Sequence, residues 1–221
     1  MAGLLLTGCS GDGGGDGGDG STSAASTASA SPSASETADT AGAGSGSPST
    51  APSASPSGSY EPATSEGPAK NVPMPEMPEA MKEPTEEGLE AALEYWWEAG
   101  YYLQLTGDSS PLEAVSNADC ILCEELVNDW TGIYGVDGWS TGAKPNIPTS
   151  VFNLENQGDT ATMIFETTEG PSALYKPGGE EVDPEDSDKT FKTSWTGSAS
   201  FDTSRGHWLI DELVAQGDLD G

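Results

Sequence analysis

From Ser10 to Ala69 the chain contains no Val, Leu, Ile, Met, Phe or Trp, and Tyr60 is the only aromatic residue in this stretch. Such a segment cannot bury enough apolar surface to offset the entropy of ordering its backbone, about 1–2 kcal/mol per residue. We therefore predict that residues 10–83 form a disordered tether rich in Gly, Ser, Ala, Thr and Pro. The remaining residues, 84–221, contain all six Trp and are predicted to form a single domain of ordinary size.

The net charge of the chain excludes one class of partner. Seven Lys and Arg stand against 37 Asp and Glu, which gives a formal net charge of -30. A protein that binds nucleic acid needs cations that displace the counterions condensed around the phosphates, so we expect no nucleic acid partner. The same shortage of cations argues against electrostatic attachment to anionic lipids, and it favours solubility in a polyanionic or salty surrounding.

The sequence Leu4–Cys9 has the pattern of a bacterial lipobox, a short apolar run followed by two small residues and a cysteine. Thr7 and Gly8 suit a signal peptidase, and the thiol of Cys9 would carry a diacylglycerol, whose two acyl chains anchor a protein stably. We expect residues 1–9 to be the remnant of a lipoprotein signal peptide whose true start lies upstream, since no Lys or Arg precedes the leucines. The predicted membrane partner is the lipid bilayer. The predicted location is the extracytoplasmic face of the cell membrane, with the domain extending into the cell wall.

The first helix is predicted from its caps and from the spacing of its apolar residues. Thr85 is a good N-cap because Glu residues follow it in the first turn, and Gly107 is a good C-cap. One face is expected to be buried because apolar residues recur along it at helical spacing. These residues are Leu89, Ala92, Leu93, Trp96, Ala99 and Leu103.

Two shorter helices are predicted to follow the first. Ser110 begins a capping box, with Pro at the first helical position and Glu three residues after the cap, so a helix should run to about Val115. A third helix should begin near Asn117 or Asp119 and end by Gly135.

After Gly138 the apolar period changes from helical spacing to alternation, which predicts strands. The predicted strands lie at Ile147–Leu154, Thr160–Thr167, Ser172–Tyr175, Phe191–Phe201 and His207–Val214. Because helices come first and antiparallel strands follow, the fold class is predicted to be α+β.

Several short motifs within residues 74–139 resemble an uncharacterised family of lipoproteins from high-G+C Gram-positive bacteria, a domain of unknown function. They are Pro78-Glu79-Ala80, Glu87-Gly88, Gly107-Asp108 before Pro111-Leu112, Cys120-Ile121-Leu122-Cys123, and Gly138-Trp139. The element order and the closing segment RGHWLIDELV are similar to the nuclear-transport-factor-like (polyketide-cyclase-like) cone fold. This resemblance implies N-terminal helices packed in a curved antiparallel sheet that can leave a pocket, but it implies no activity.

Cys120 and Cys123 are separated by two residues near the start of the third predicted helix. In an oxidising compartment we expect them to form a structural disulfide. A redox role stays open, because a helix N-terminus lowers the pKa of a thiol. A metal site stays open as well, although zinc requires four nitrogen or sulfur ligands and only His207 remains to help. We therefore expect no metal and no cofactor.

The candidate pocket residues lie on the last strand and among the aromatic side chains. His207, the only histidine, starts a strand after a turn and is expected at an exposed rim. Asp211 and Glu212 alternate along the strand, so one of them is expected to point inward. An inward carboxylate surrounded by aromatic rings is a candidate general acid or base. The rings proposed to line this pocket are Trp96, Tyr101 and Trp195.

These observations favour a lipid-anchored binding or interaction module without catalytic residues, whose partner is an envelope protein or a small apolar ligand. One alternative is a cone-fold pocket enzyme, similar to isomerases, cyclases or hydrolases, that acts on a small apolar molecule. A second alternative is a thiol-disulfide partner that works through Cys120 and Cys123. The acidic run over residues 180–188 lacks the spacing of a calcium loop and is expected to be solvated.

Overall fold

The helices of the described chain come before its strands. The computed structural model describes residues 58–142 and 144–218, so the predicted anchor at Cys9 lies outside the described residues, as does the predicted tether up to residue 57. The helices are α1 (Glu86–Thr106), α2 (Ser110–Ala114) and α3 (Ile121–Gly135). The strands are β1 (Trp139–Thr141), β2 (Asn146–Glu155), β3 (Thr160–Glu169), β4 (Ala173–Tyr175), β5 (Glu181–Val182), β6 (Phe191–Asp202) and β7 (His207–Asp218). Short 3-10 turns cover Glu79–Lys82 and Asn156–Gly158.

The strands form two antiparallel sheets, which makes the fold α+β as predicted. The larger sheet has the order β2-β3-β6-β7, and the smaller sheet has the order β1-β4-β5. The predicted strands are present with ends shifted by a few residues. Strands β1 and β5 are too short to give an alternating pattern, so the sequence did not predict them.

Helix α1 has the predicted caps and the predicted buried face. The side chain of Thr85 accepts a hydrogen bond from the backbone N–H of Gly88 at 3.1 Å, which satisfies one of the donors left free at a helix start. Gly107 ends the helix in the left-handed conformation, with φ of 74°. All six apolar residues predicted for the buried face are buried.

The next two helices start at residues other than those predicted. The N-cap of α2 is Ser109 and not the predicted Ser110, whose backbone N–H and hydroxyl both donate hydrogen bonds to Asp108 Oδ1. Helix α3 starts at Ile121, later than predicted. Its start is delayed because the N–H of Asn117 donates to the carbonyl of Ile210, which holds this part of the chain against the edge of β7.

The described structure begins well before the predicted domain boundary at residue 84. Met81 is fully buried, and the indole N–H of Trp139 donates to the carbonyl of Thr64 at 2.8 Å. The indole N–H of Trp208 donates to the carbonyl of Glu83 at 2.9 Å. The boundary at 84 is therefore too late. The low apolar content of residues 10–69 suggested a long tether, but Met77 and Met81, which follow it, pack against the core.

Aromatic rings from α1 and the larger sheet meet in the core. The ring centroid of Trp97 lies 5.1 Å from that of Trp96, 6.3 Å from that of Phe165 and 5.4 Å from that of Trp195, all in edge-to-face geometry. Such contacts contribute stability beyond the burial of their area. They place the candidate pocket residues Trp96 and Trp195 in the packed core.

Candidate functional site

The two tryptophans predicted to line a pocket are buried, and each one has its own hydrogen-bond partner. The indole N–H of Trp96 donates to Ser116 Oγ at 3.0 Å. The indole N–H of Trp195 donates to Thr167 Oγ1 at 2.9 Å. Because both N–H groups are satisfied inside the protein, neither is directed at a ligand.

Asp211 lies outside the aromatic cluster because β7 contains a bulge. Ala199 pairs with Ile210 and Ser198 pairs with Glu212, so Asp211 is an extra residue without a partner in the register. Its Oδ1 accepts hydrogen bonds from Asn117 Nδ2 at 2.9 Å and from Ser200 Oγ at 2.8 Å. This carboxylate therefore links β6 and β7 to the segment before α3. Neither of these two hydrogen bonds involves a tryptophan.

Glu212 is exposed, whereas Leu213, the next residue along β7, is buried. The expectation that Asp211 or Glu212 points into a pocket assumed uninterrupted alternation along the strand. The bulge at Asp211 breaks that alternation, so the structure does not bring either carboxylate together with Trp96 or Trp195.

His207 is buried, with 8 % of its surface exposed, and not at an exposed rim as predicted. It pairs with Asp202 in the sheet, because the turn between β6 and β7 is closed by a hydrogen bond from the N–H of Gly206 to the carbonyl of Asp202. Its Nδ1 lies 2.9 Å from the carbonyl oxygen of Trp208. This histidine thus contacts the backbone of its own strand and not the predicted carboxylates.

Tyr101 is the last of the predicted pocket residues. Its hydroxyl donates a hydrogen bond to the carbonyl of Gly142 at 2.9 Å. Burial is the main cause that raises the pKa of Tyr101, and the neighbouring Tyr60 raises it further. Burial likewise raises the pKa of Tyr134 to about 12, and its hydroxyl donates to the carbonyl of Gln104. Both phenols are therefore neutral at ordinary pH and serve as structural hydrogen-bond donors.

Cys120 and Cys123 form the predicted disulfide, with their Cα atoms 5.2 Å apart. Cys120 is the N-cap of α3, and its Sγ accepts a hydrogen bond from the backbone N–H of Cys123 at 3.3 Å. Both residues are buried. Within residues 58–142 and 144–218 there is no cluster of three side chains suited to hold a metal ion.

Among the described residues, the space between the aromatic side chains of α1 and Trp130 is small. A cavity bordered by Trp96, Trp97, Tyr101 and Trp130 has a volume of about 10 Å³, room for no more than one water molecule. Sites for small molecules usually measure about 300–1,000 Å³. Hollows of comparable size lie at the surface of the described structure, such as one of about 390 Å³ beside the disulfide.

Trp97 is the one core tryptophan whose buried indole N–H has no hydrogen-bond partner among the described residues. We expect Trp97→Phe to leave the free energy of unfolding within about 1 kcal/mol of wild type, because it removes an unsatisfied donor. Trp96→Phe should lower the free energy of unfolding by about 1–3 kcal/mol, because it leaves the hydroxyl of buried Ser116 without its donor. Chemical denaturation of both variants tests this difference. A larger loss for Trp97→Phe than for Trp96→Phe would contradict it.

The surface of the described chain is strongly acidic, and its basic side chains interact with neighbouring carboxylates. Ion pairs with nearby carboxylates are formed by Lys70, Lys82, Lys144, Lys176, Lys189 and Arg205, and Lys192 has an interaction of its own. Exposed pairs of this kind add little stability, typically below about 1 kcal/mol each. Their consequence is electrostatic, since they leave the excess carboxylates to set the surface potential.

The sequence did not predict one exposed apolar surface. Val151, Ile164 and Val214 lie on strands of the larger sheet with 62 %, 57 % and 43 % of their surface exposed. The signal was present in the alternation itself, because Val151 and Ile164 occupy the positions between buried or half-buried residues of β2 and β3. An aliphatic residue at such a position faces solvent.

None of the helices in the described part of the chain is both long enough and apolar enough to cross a membrane.

No curated protein matches this chain in sequence. Among solved structures, the intermembrane space region of the chloroplast protein ARC6 is 12 % identical, with 59 % of this chain and 95 % of that chain covered and a TM-score of 0.41. A putative calcium/calmodulin dependent protein kinase II association domain from Xanthomonas campestris is 14 % identical, with 58 % and 84 % covered and a TM-score of 0.37. A protein of unknown function with a cystatin-like fold from Methylobium petroleophilum is 13 % identical, with 61 % and 78 % covered and a TM-score of 0.34. Similarities this distant carry no argument about function.

A model of one protein family matches more of this chain than residues 74–139, where the short motifs lie. The matched part includes the segment before α1, all three helices and most of β7. Residues 58–214 match the model of a family of unknown function, DUF6318, and the chain belongs to this family.

Proposed function

We propose that this chain is a lipid-anchored protein of the cell envelope that acts by binding a partner and not by catalysis. One observation carries the proposal. Two of the candidate acid or base residues are held by separate local partners, Asp211 by Asn117 and Ser200, and His207 beside the carbonyl of Trp208. A general acid or base needs a shared site with its substrate.

The alternative, a pocket enzyme, requires an interior that admits a small apolar molecule. The space bordered by Trp96, Trp97 and Tyr101 is about 10 Å³, far below the volume of such a molecule. Binding through a surface is therefore the better supported function. Saturable binding of an apolar fluorescent dye with a bell-shaped pH dependence would favour the enzyme instead.

The proposal includes a cone-like arrangement in which the larger sheet curves around α1. Register shifts occur between Asn146 and Thr149 on β2 and at two places between β6 and β7, and such irregularities bend a sheet. Trp97 of α1 contacts Phe165 and Trp195 on β3 and β6. In this arrangement the inner face of the sheet is filled by α1, and the outer face remains for a partner.

The proposed anchor is Cys9, because two acyl chains on its thiol would hold the protein at the membrane. We expect cells that express the full chain to incorporate labelled fatty acid into it, and the Cys9→Ser variant to lose the label and leave the membrane fraction. The chain offers a matched control, because Cys120→Ser combined with Cys123→Ser removes both other cysteines. If the Cys9→Ser variant keeps its label, or the wild-type chain carries none, the proposed anchor is wrong.

A further inference from the structure

A row of four residues crosses the outer face of the larger sheet, one from each strand. Val151 pairs with Ile164, Ile164 pairs with Thr196, and Thr196 pairs with Val214. The three aliphatic members are among the most exposed large apolar residues of the described chain, at 62 %, 57 % and 43 %. We call these four residues the outer row.

The outer row is continuous, unlike exposed apolar residues that are scattered singly. Directly paired residues have Cβ atoms about 4.5–5.5 Å apart, so the four side chains form one strip across the sheet. Scattered exposed apolar residues need no explanation, but a contiguous strip with a polar border marks an interaction surface. The neighbouring rows on this face contain such a polar border, with Thr149 and Ser194 on one side and Thr162 and Ser198 on the other.

Carboxylates surround the outer row on three of the four strands. Glu166 lies two residues from Ile164 on β3, Glu212 lies two residues before Val214 on β7, and Glu155 ends β2. Side chains two and four residues apart on a strand share a face. One base shares this face, Lys192 on β6, and it has an interaction of its own. The border of the outer row is therefore net acidic.

We propose that the outer row docks a basic protein partner, one that presents aliphatic side chains between its Lys or Arg side chains. This inference rests on the proposed function, because it names the surface and the partner of the binding module. Apolar contact with Val151, Ile164 and Val214 supplies most of the affinity, since the energy of an interface is concentrated in a few desolvated side chains. The surrounding carboxylates attract the basic partner and fix its orientation.

The charge of the chain argues against the other occupants of this face. A second copy would bring its own carboxylates against Glu155, Glu166 and Glu212, and the chain carries a net charge of -30. Like charges directly opposed across an interface disfavour association. An anionic lipid surface is repelled for the same reason.

The test uses the full chain and a short dye-labelled peptide of alternating Val and Lys, titrated by fluorescence anisotropy. We expect saturable binding that weakens as salt is raised, because the attraction between exposed charges is screened. Replacing Ile164 by Ser should weaken binding at least about tenfold, equivalent to about 1.4 kcal/mol. The matched control is Ile121→Ser on α3, because Ile121 is 72 % exposed and lies off the sheet. This control should bind the peptide as wild type does.

Three results overturn the inference. The first is no saturable binding, and the second is equal affinity of wild type and Ile164→Ser, which would mean that charge alone attracts the peptide. The third comes from sedimentation: a wild-type dimer that Ile164→Ser converts to a monomer makes a second copy the occupant. A peptide in which Glu replaces Lys should not bind. Failure here leaves fatty-acid labelling at Cys9 unaffected, so the two proposals fail separately.

Discussion

We expect the Trp208→Ala variant to lose about 3–5 kcal/mol of its free energy of unfolding, the largest effect of any single change that we predict. Trp208 is fully buried, and its ring packs edge-to-face against Phe201 with centroids 5.7 Å apart. Truncation removes this packing and leaves a cavity. It also removes the donor to the carbonyl of Glu83. Since domains are stable by only about 5–15 kcal/mol, chemical denaturation at 25 °C should show a large shift.

A second variant separates the two contributions of Trp208. Trp208→Phe keeps most of the apolar volume but leaves the carbonyl of Glu83 without the indole N–H, so we expect a smaller loss of about 1–3 kcal/mol. Val136→Ala serves as the control, because Val136 is 65 % exposed and its truncation should change stability by no more than about 0.5 kcal/mol. A loss below about 1 kcal/mol for Trp208→Ala would contradict the prediction. If Trp208→Ala does not fold, the Phe variant still measures the hydrogen bond.

Local chemistry explains which parts of the fold the sequence could predict. The N-cap at Thr85 and the C-cap at Gly107 each act within one helical turn, so both ends of α1 can be predicted from the local sequence. The domain boundary depends on contacts between distant residues. Trp208 and Glu83 are 125 residues apart, and no local pattern indicates that they meet.

The same distinction explains the predicted site. The disulfide was predictable because its two cysteines lie three residues apart at a helix start. The orientation of Asp211 was not predictable, because the bulge that turns it depends on how β7 pairs with β6. The outer row is an intermediate case. Alternation within each strand indicates that Ile164 on β3 and Val151 on β2 are exposed, but only the register between the two strands places them side by side in a strip.

The second large effect is expected at Gly88, where Ala should destabilise the protein although Ala is the best helix-forming residue. Gly88 lies in the first turn of α1, and a Cβ there would stand 2.1 Å from the carbonyl oxygen of Glu83 and 2.8 Å from that of Ala80. Neither distance is tolerable, so backbone must shift. The oxygen of Glu83 is already held by the N–H groups of Thr85 and Trp208, which makes that shift costly.

We expect Gly88→Ala to lower the free energy of unfolding by about 1–3 kcal/mol, the usual cost of overpacking. The same helix provides the control, because a Cβ at Gly100 meets nothing within 4 Å. Gly100→Ala should therefore stabilise the protein by up to about 1 kcal/mol through helix propensity alone. Denaturation curves of the two variants should shift in opposite directions. A shift of both toward higher stability would mean that the first turn of α1 is not packed against Glu83, and that the segment before α1 does not contribute to the fold.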